Sequence, residues 1–195
     1  MNLPTKLTIL RLIMIPIFVA LYFIPEIPYN FLLSAIVFLL ASLTDFLDGY
    51  IARKYNMVTD LGKFLDPIAD KVLVSTALII LLVPVGGVLA IPTYGAIAVA
   101  IIMARELIVS GFRMIAASKN IVIAADMSGK IKTFLTDVAV VVLLVGAEFM
   151  PTPYSVINII GLVLLGISTI LTIISGIECF TKNKGVLKDN KWKLP

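Results

Sequence analysis

Long stretches without a single charged residue constrain this chain more than any other feature. Three of them are Ile27 to Thr44, Val72 to Ala104 and Phe149 to Ile177. Each is close to or above the ~20 apolar residues that cross the hydrocarbon core of a membrane as a helix. Charged residues make up 14% of the sequence, whereas about a quarter of the residues in a soluble domain are charged. The pattern predicts an integral membrane protein.

Breaks rich in proline, glycine and polar residues divide the chain into six predicted transmembrane helices. Their expected bounds are 7–24, 30–54, 62–83, 92–117, 127–147 and 153–178. The stretch from Val72 to Ala104 is too long for one crossing, and the Pro84-Val85-Gly86-Gly87 segment supplies a turn within it. We therefore expect an all-α membrane protein that forms one domain over residues 1–195.

The placement of the basic residues predicts the orientation in the membrane, because lysine and arginine are retained on the cytoplasmic side during insertion. The three predicted outer loops contain none of the 16 basic residues, and their only charges are Glu26 and Glu148. Both termini are therefore expected in the cytoplasm. The net charge of +4 follows from this topology, so nucleic acid is not expected as a partner.

Two pairs of aspartates lie where the second and third predicted helices meet the inner membrane surface. Asp45 and Asp48 close the second helix, and Asp66 and Asp70 lie on the third. Spacings of three and four residues place each pair on one helical face. Small residues on the same faces leave room for a bulky ligand: Gly49, Ala52 and Gly62.

Carboxylates packed together at a membrane repel one another, and buried ionised groups are costly unless a positive partner compensates them. The neighbouring cations Arg53, Lys63 and Lys71 are too few and too flexible to do so alone. The chain has no histidine and one cysteine, so a zinc site with nitrogen or sulfur ligands is excluded. Oxygen ligands suit Mg²⁺ or Mn²⁺, often as a pair of ions in phosphoryl chemistry. We expect a two-metal active site facing the cytoplasm.

The segment from Asp45 to Asp70 resembles the signature of the CDP-alcohol phosphotransferase family. Its fixed positions are occupied by Asp45, Asp48, Gly49, Ala52, Arg53, Gly62, Asp66 and Asp70. The resemblance implies that the first three aspartates are metal ligands and that Asp70 is a ligand or the general base. It implies a CDP site lined by Asp48, Gly49, Ala52, Arg53 and Gly62. It also implies six helices around a polar cavity open to the cytoplasm, and a homodimer.

More of the chain is similar to the phosphatidylglycerophosphate synthase branch of that family. The similarity lies in Asn2-Leu3-Pro4-Thr5 with Leu7-Thr8 and Arg11, in Arg105-Glu106-Leu107-Ile108 and in Gly129-Lys130-Ile131-Lys132-Thr133. It implies transfer of the phosphatidyl group from CDP-diacylglycerol to glycerol 3-phosphate, giving phosphatidylglycerophosphate and CMP. Cations in or near the membrane need anionic partners, and the acceptor's phosphate supplies one. The expected phosphate-binding residues are Arg105, Arg113, Lys130, Lys132, Thr8 and Arg11.

Several alternatives stay open. The acceptor could instead be inositol phosphate, serine or a second phospholipid, and Arg105, Arg113 and Lys132 could serve only to fix topology. We expect Glu106 to pair with Arg105 or a neighbour, and Asp137 to make a polar contact within the bundle. A divalent-cation transporter would also carry intramembrane carboxylates, but near the bilayer midplane and on broken helices. The absence of a transit segment favours a bacterial plasma membrane, whose lipids would surround the chain.

Overall fold

The computed structural model describes residues 3–54, 60–118, 127–152 and 155–183. Within these ranges the secondary structure is helical apart from an isolated bridge between Val85 and Val88. The helices, numbered in chain order, are α1 (Leu3–Phe23), α2 (Asn30–Lys54), α3 (Asp60–Ile80), α4 (Ala96–Ser118), α5 (Met127–Phe149) and α6 (Val156–Lys182). A short 3₁₀ helix, Thr93–Gly95, precedes α4.

Three helical segments of the described chain are long and apolar enough to cross a membrane. These are Lys6–Phe23, Thr93–Ala117 and Val156–Lys182. Two shorter apolar segments, Asn30–Thr44 and Lys71–Ile80, belong to α2 and α3. The prediction of an all-α membrane protein is confirmed, whereas six membrane crossings and a cavity open to the cytoplasm stay predictions.

The helix bounds differ from the predicted ones by at most four residues, and the turn between α3 and α4 is one place where they differ. Helix α3 ends at Ile80, and the N–H groups of Leu82 and Val83 bond to carbonyls three residues back. In the loop that follows, the backbone of Val85 and Val88 forms a tight turn in which each N–H donates to the other's carbonyl, at 3.0 and 2.9 Å. Gly86 and Gly87 adopt positive φ angles of 59° and 81° in this turn, a conformation that glycine tolerates best. At its other end, α3 begins at Asp60 and therefore includes position 67, a proline.

Helices α1 and α2 pack as one antiparallel pair, and α5 and α6 as another. Helix α2 also packs on α5, α1 on α3, and α4 on α6. Glycines permit the closest approach of α5 and α6: a Cβ at Gly161 would lie 2.7 Å from Cγ of Leu143. The buried rings of Phe18 and Phe38, with centroids 5.7 Å apart, fill the contact between α1 and α2.

The end of the bundle opposite the aspartates is held by polar contacts. Glu148, in the last turn of α5, accepts hydrogen bonds at Oε2 from the backbone N–H groups of Phe31 (3.0 Å) and Leu32 (3.4 Å) in the first turn of α2. The first N–H groups of a helix have no partner within the helix, and a carboxylate there also interacts favourably with the helix dipole. The contact fixes the start of α2 against the end of α5.

Candidate functional site

The predicted metal ligands lie on two helices that pack on each other. Asp45 and Asp48 are in the C-terminal half of α2, and Asp66 and Asp70 are in the N-terminal half of α3. Both helices continue through these positions, so each pair is about one turn apart. The side chains of all four aspartates lie outside the described part of the structure.

The predicted CDP-binding residues lie on the same segments. Three of them follow Asp48 in α2: Gly49, Ala52 and Arg53. Gly62 is in the first turn of α3, and the contacts of these four residues lie outside the described part of the structure. Among the described residues there is no group of three acidic, histidine or cysteine side chains that could hold a metal. The four aspartates are therefore the donor set to consider, and carboxylate oxygens fit Mg²⁺ or Mn²⁺.

Charged side chains from α3, α4 and α5 form a cluster, and we call it the basic cluster: Lys71, Arg105, Glu106 and Lys132. Oε1 of Glu106 accepts hydrogen bonds from Nη1 of Arg105, at 3.3 Å, and from Nζ of Lys132. Nη2 of Arg105 donates to Oγ of Ser175 at 2.6 Å. The cluster thereby links α4 to both α5 and α6.

Lys71 joins the basic cluster from α3. Its Nζ donates to Oγ of Ser110, and that hydroxyl donates to the backbone carbonyl of Glu106 one turn earlier in α4. Because Lys71 directly follows Asp70 in the chain, the cluster begins one residue from a predicted active-site aspartate. The sequence indicated neither Lys71 nor Ser110 as a binding residue.

A cavity of about 30 Å³ opens between α3, α4 and α5 beside the basic cluster. Its polar lining consists of Lys71, Ser75, Glu106, Lys132, Thr133 and Thr136. A volume of this size holds one or two water molecules. Lys132 is only 5% exposed, so its ammonium depends on protein partners, and burial of a charge without such partners is costly.

The six predicted phosphate-binding residues fall into three locations. Arg105 and Lys132 meet at Glu106, which confirms the expected pairing of that carboxylate. Arg113 and Lys130 occupy exposed positions on α4 and α5. Thr8 and Arg11 are fully buried on α1, where Nε of Arg11 donates to the carbonyl of Ala41 at 3.3 Å, one turn before Asp45.

Asp137 makes the expected polar contact within the bundle. Its Oδ2 accepts a hydrogen bond from Oγ of Ser42 at 3.0 Å, which joins α5 to α2. Ser42 lies three residues before Asp45, so the bond fixes the rotation of α2 just before its aspartates. Asp137 therefore has a packing role. The sequence predicted a polar contact for this residue but did not identify Ser42 as its partner.

Known proteins resemble this chain over almost its full length. Residues 1–174 match the family model described as CDP-alcohol phosphatidyltransferase. A CDP-diacylglycerol–glycerol-3-phosphate 3-phosphatidyltransferase of Bacillus subtilis (strain 168) is 40% identical, over 96% of this chain and 97% of its own. Proteins of the same name from Rickettsia bellii and Salmonella typhimurium are 42% and 33% identical, and the matches cover 92% and 96% of this chain and 93% and 98% of theirs.

Proposed function

This chain belongs to the CDP-alcohol phosphatidyltransferase family, and on that basis we propose that it transfers the phosphatidyl group of CDP-diacylglycerol to glycerol 3-phosphate. The products are phosphatidylglycerophosphate and CMP, and the reaction is a step of phospholipid synthesis. Relatives named for this reaction align with more than nine-tenths of the chain. They therefore align with both the aspartate helices and the helices of the basic cluster.

The observation that carries the choice of acceptor is the meeting of Arg105 and Lys132 at Glu106. Both cations were expected to bind the acceptor's phosphate, and they come from different helices. The cavity beside them is also lined by Lys71, which directly follows Asp70. An acceptor with its phosphate at this cluster would lie next to α3, the helix that carries Asp70. Serine has no phosphate to use such a site.

We propose that Asp45, Asp48, Asp66 and Asp70 together hold two Mg²⁺ or Mn²⁺ ions. The support is the all-carboxylate donor set and its placement on two packed helices. When bound, such ions neutralise charge on the pyrophosphate and on the leaving group during phosphoryl transfer.

The chain's own residues would then bind, orient and move one proton. Asp70 accepts the proton of the 1-hydroxyl of glycerol 3-phosphate while that oxygen forms a bond to the β-phosphorus of CDP-diacylglycerol. The bond from this phosphorus to the bridging oxygen breaks, and CMP leaves with that oxygen. Arg53 contacts the phosphates of the nucleotide, and small residues give its ribose and base room next to the backbone: Gly49, Ala52 and Gly62.

The setting of this chemistry is a plasma membrane, with both termini and the active site facing the cytoplasm. The distribution of lysine and arginine supports that orientation. The acyl chains of CDP-diacylglycerol would stay among the surrounding lipids while its nucleotide lies at the aqueous surface. A homodimer is expected from the family resemblance.

Release of CMP by the purified protein tests this proposal. The protein in detergent is incubated with Mg²⁺, CDP-diacylglycerol and one acceptor at a time: glycerol 3-phosphate, inositol phosphate, serine or a phospholipid. We expect CMP with glycerol 3-phosphate alone. CMP with another acceptor would keep the family chemistry but refute the acceptor. Metal uptake by proteoliposomes without any CMP release would favour the transporter alternative.

A further inference from the structure

Glu106 occupies the place between the two cations that the proposed acceptor needs. Its Oε1 contacts Nη1 of Arg105 and Nζ of Lys132 at once. Two cations that converge on one carboxylate oxygen present their N–H donors to the position that a phosphate oxygen would take. The acceptor's phosphate and the Glu106 carboxylate therefore compete for the same donors.

The size of the adjoining cavity favours this competition. About 30 Å³ is enough for one or two waters but not for a phosphate group. Side chains lining the cavity must move before an acceptor fits. Glu106 is the mobile candidate, because its side chain is 25% exposed whereas that of Lys132 is 6% exposed. A carboxylate that turns out of the cavity leaves both its volume and its hydrogen-bond donors to the phosphate.

The charges of the basic cluster favour such an exchange. The cluster combines three cations, Lys71, Arg105 and Lys132, with the carboxylate of Glu106. A phosphate monoester carries a charge of about −1.5 to −2 at neutral pH. The acceptor's phosphate and the Glu106 carboxylate are therefore two anions attracted to the same cations. Without the Glu106 charge the cluster would bind phosphate more tightly.

We propose that Glu106 is a positioning residue that holds Arg105 and Lys132 in place in the free enzyme and is displaced by the acceptor's phosphate. Glu106 thereby weakens acceptor binding, because its contacts with Arg105 and Lys132 must be broken before the phosphate can bind. The proposal rests on the proposed function, because it takes the acceptor's phosphate to bind at these two cations.

Glu106→Gln tests the proposal because it keeps the shape of the side chain and an oxygen acceptor but removes the charge. The KM for glycerol 3-phosphate should fall by about fivefold to tenfold, since a displaced charge-assisted contact is worth on the order of a tenfold change in affinity. Inorganic phosphate, used as a competitive inhibitor, should show a parallel fall in its inhibition constant. An unchanged or increased KM would overturn the proposal.

The rise in unfolding temperature caused by the acceptor supplies a second readout that a merely structural role would not change. Without ligand, Glu106→Gln should unfold at a lower temperature, because the buried Lys132 ammonium loses its counter-charge. Glycerol 3-phosphate should raise the unfolding temperature of the variant more than that of the wild type. Destabilisation that the acceptor does not reverse would assign Glu106 to folding alone.

Two further variants keep the outcome clear. Glu106→Asp retains the charge but withdraws the carboxylate from Lys132 by one methylene, so its KM should also fall, and a rise would contradict displacement. Glu178→Gln is the matched control: Glu178 lies on α6, where it pairs with Lys182 at 3.7 Å, and its variant should keep the wild-type KM.

Lys132→Gln separates failure of this proposal from failure of the proposed function. If the acceptor's phosphate binds at Lys132, this variant should raise the KM for glycerol 3-phosphate by at least about tenfold. An unchanged KM in Lys132→Gln would refute the acceptor site itself. A raised KM in Lys132→Gln together with an unchanged KM in Glu106→Gln would refute the displacement of Glu106 alone.

Discussion

Gly146 lies where the end of α5 packs against the first turn of α6, and Gly146→Ala tests that packing directly. A Cβ at this position would lie 2.0 Å from Oδ1 and 2.9 Å from Cγ of Asn158. Asn158 is buried, and its Nδ2 donates to the carbonyls of Met150 (3.0 Å) and Thr152 (2.8 Å) in the turn between the two helices. The side chain is therefore held where the new methyl group must go.

The cost of Gly146→Ala follows from these contacts. An ordinary Cβ contact begins near 3.4 Å, so the amide group of Asn158 must move by more than ~1 Å and loses its two hydrogen bonds, worth about 1 kcal/mol each. Crowding of a packed interior adds about 1–3 kcal/mol, and alanine returns about 1 kcal/mol through its higher helix propensity. The expected loss in free energy of unfolding is about 3 kcal/mol, or roughly 6–12 °C in unfolding temperature.

Thermal unfolding of the detergent-solubilised protein, followed by circular dichroism, measures this loss. Gly166→Ala is the matched control, because Gly166 is also inside a helix but no heavy atom lies within 4 Å of the position its Cβ would take. The control should unfold at the wild-type temperature or slightly above it. Equal shifts for the two variants would refute the packing of α5 on α6 described above.

Three further predictions concern the active site and the start of α2. Asp66→Ala should abolish CMP release in detergent with Mg²⁺, since a metal ligand is lost, and near-native release would contradict the two-metal proposal. Asp70→Asn should lower kcat even at a Mg²⁺ concentration that restores metal binding, because Asp70 is proposed as both a ligand and the base; full recovery of kcat by added Mg²⁺ would leave ligation as its only role. Glu148→Gln should lower the unfolding temperature by about 2–4 °C, because a charged acceptor at a helix N-terminus is worth about 1 kcal/mol. Glu26→Gln, at an exposed position, should leave it unchanged, and equal shifts would argue against the contact at α2.

The helices could be predicted from the sequence because local features determine them. Uncharged apolar runs and breaks at proline and glycine are visible in a short window of residues. The end of α3 was placed three residues too late, since the loop that follows it depends on pairing between separate backbone groups. Ile91 N donates to the carbonyl of Leu81 at 3.0 Å, a contact that no local pattern indicates.

The candidate site could be predicted only in part. Fixed spacings within continuous helices were enough to place the aspartate pairs on α2 and α3. An intramembrane glutamate predicts a positive partner, but it does not say which one. Glu106 accepts a hydrogen bond from Lys132, which lies 26 positions later in the chain. Arg105 donates one to Ser175, which lies 70 positions later. Those partners depend on how α4, α5 and α6 are rotated against one another, which is decided by packing.

The contact of Glu148 with the first turn of α2 has a consequence for the depth of the active site. Helix α2 rises 1.5 Å per residue, so Asp45 lies about 22 Å along the axis from Asn30, where the helix begins. The hydrocarbon core of a bilayer is about 30 Å thick. In the proposed orientation, with the start of α2 at the outer surface, the first aspartate would lie several ångströms short of the inner headgroups. Bilayer thickness, and therefore lipid chain length, would then set how far glycerol 3-phosphate must descend to react.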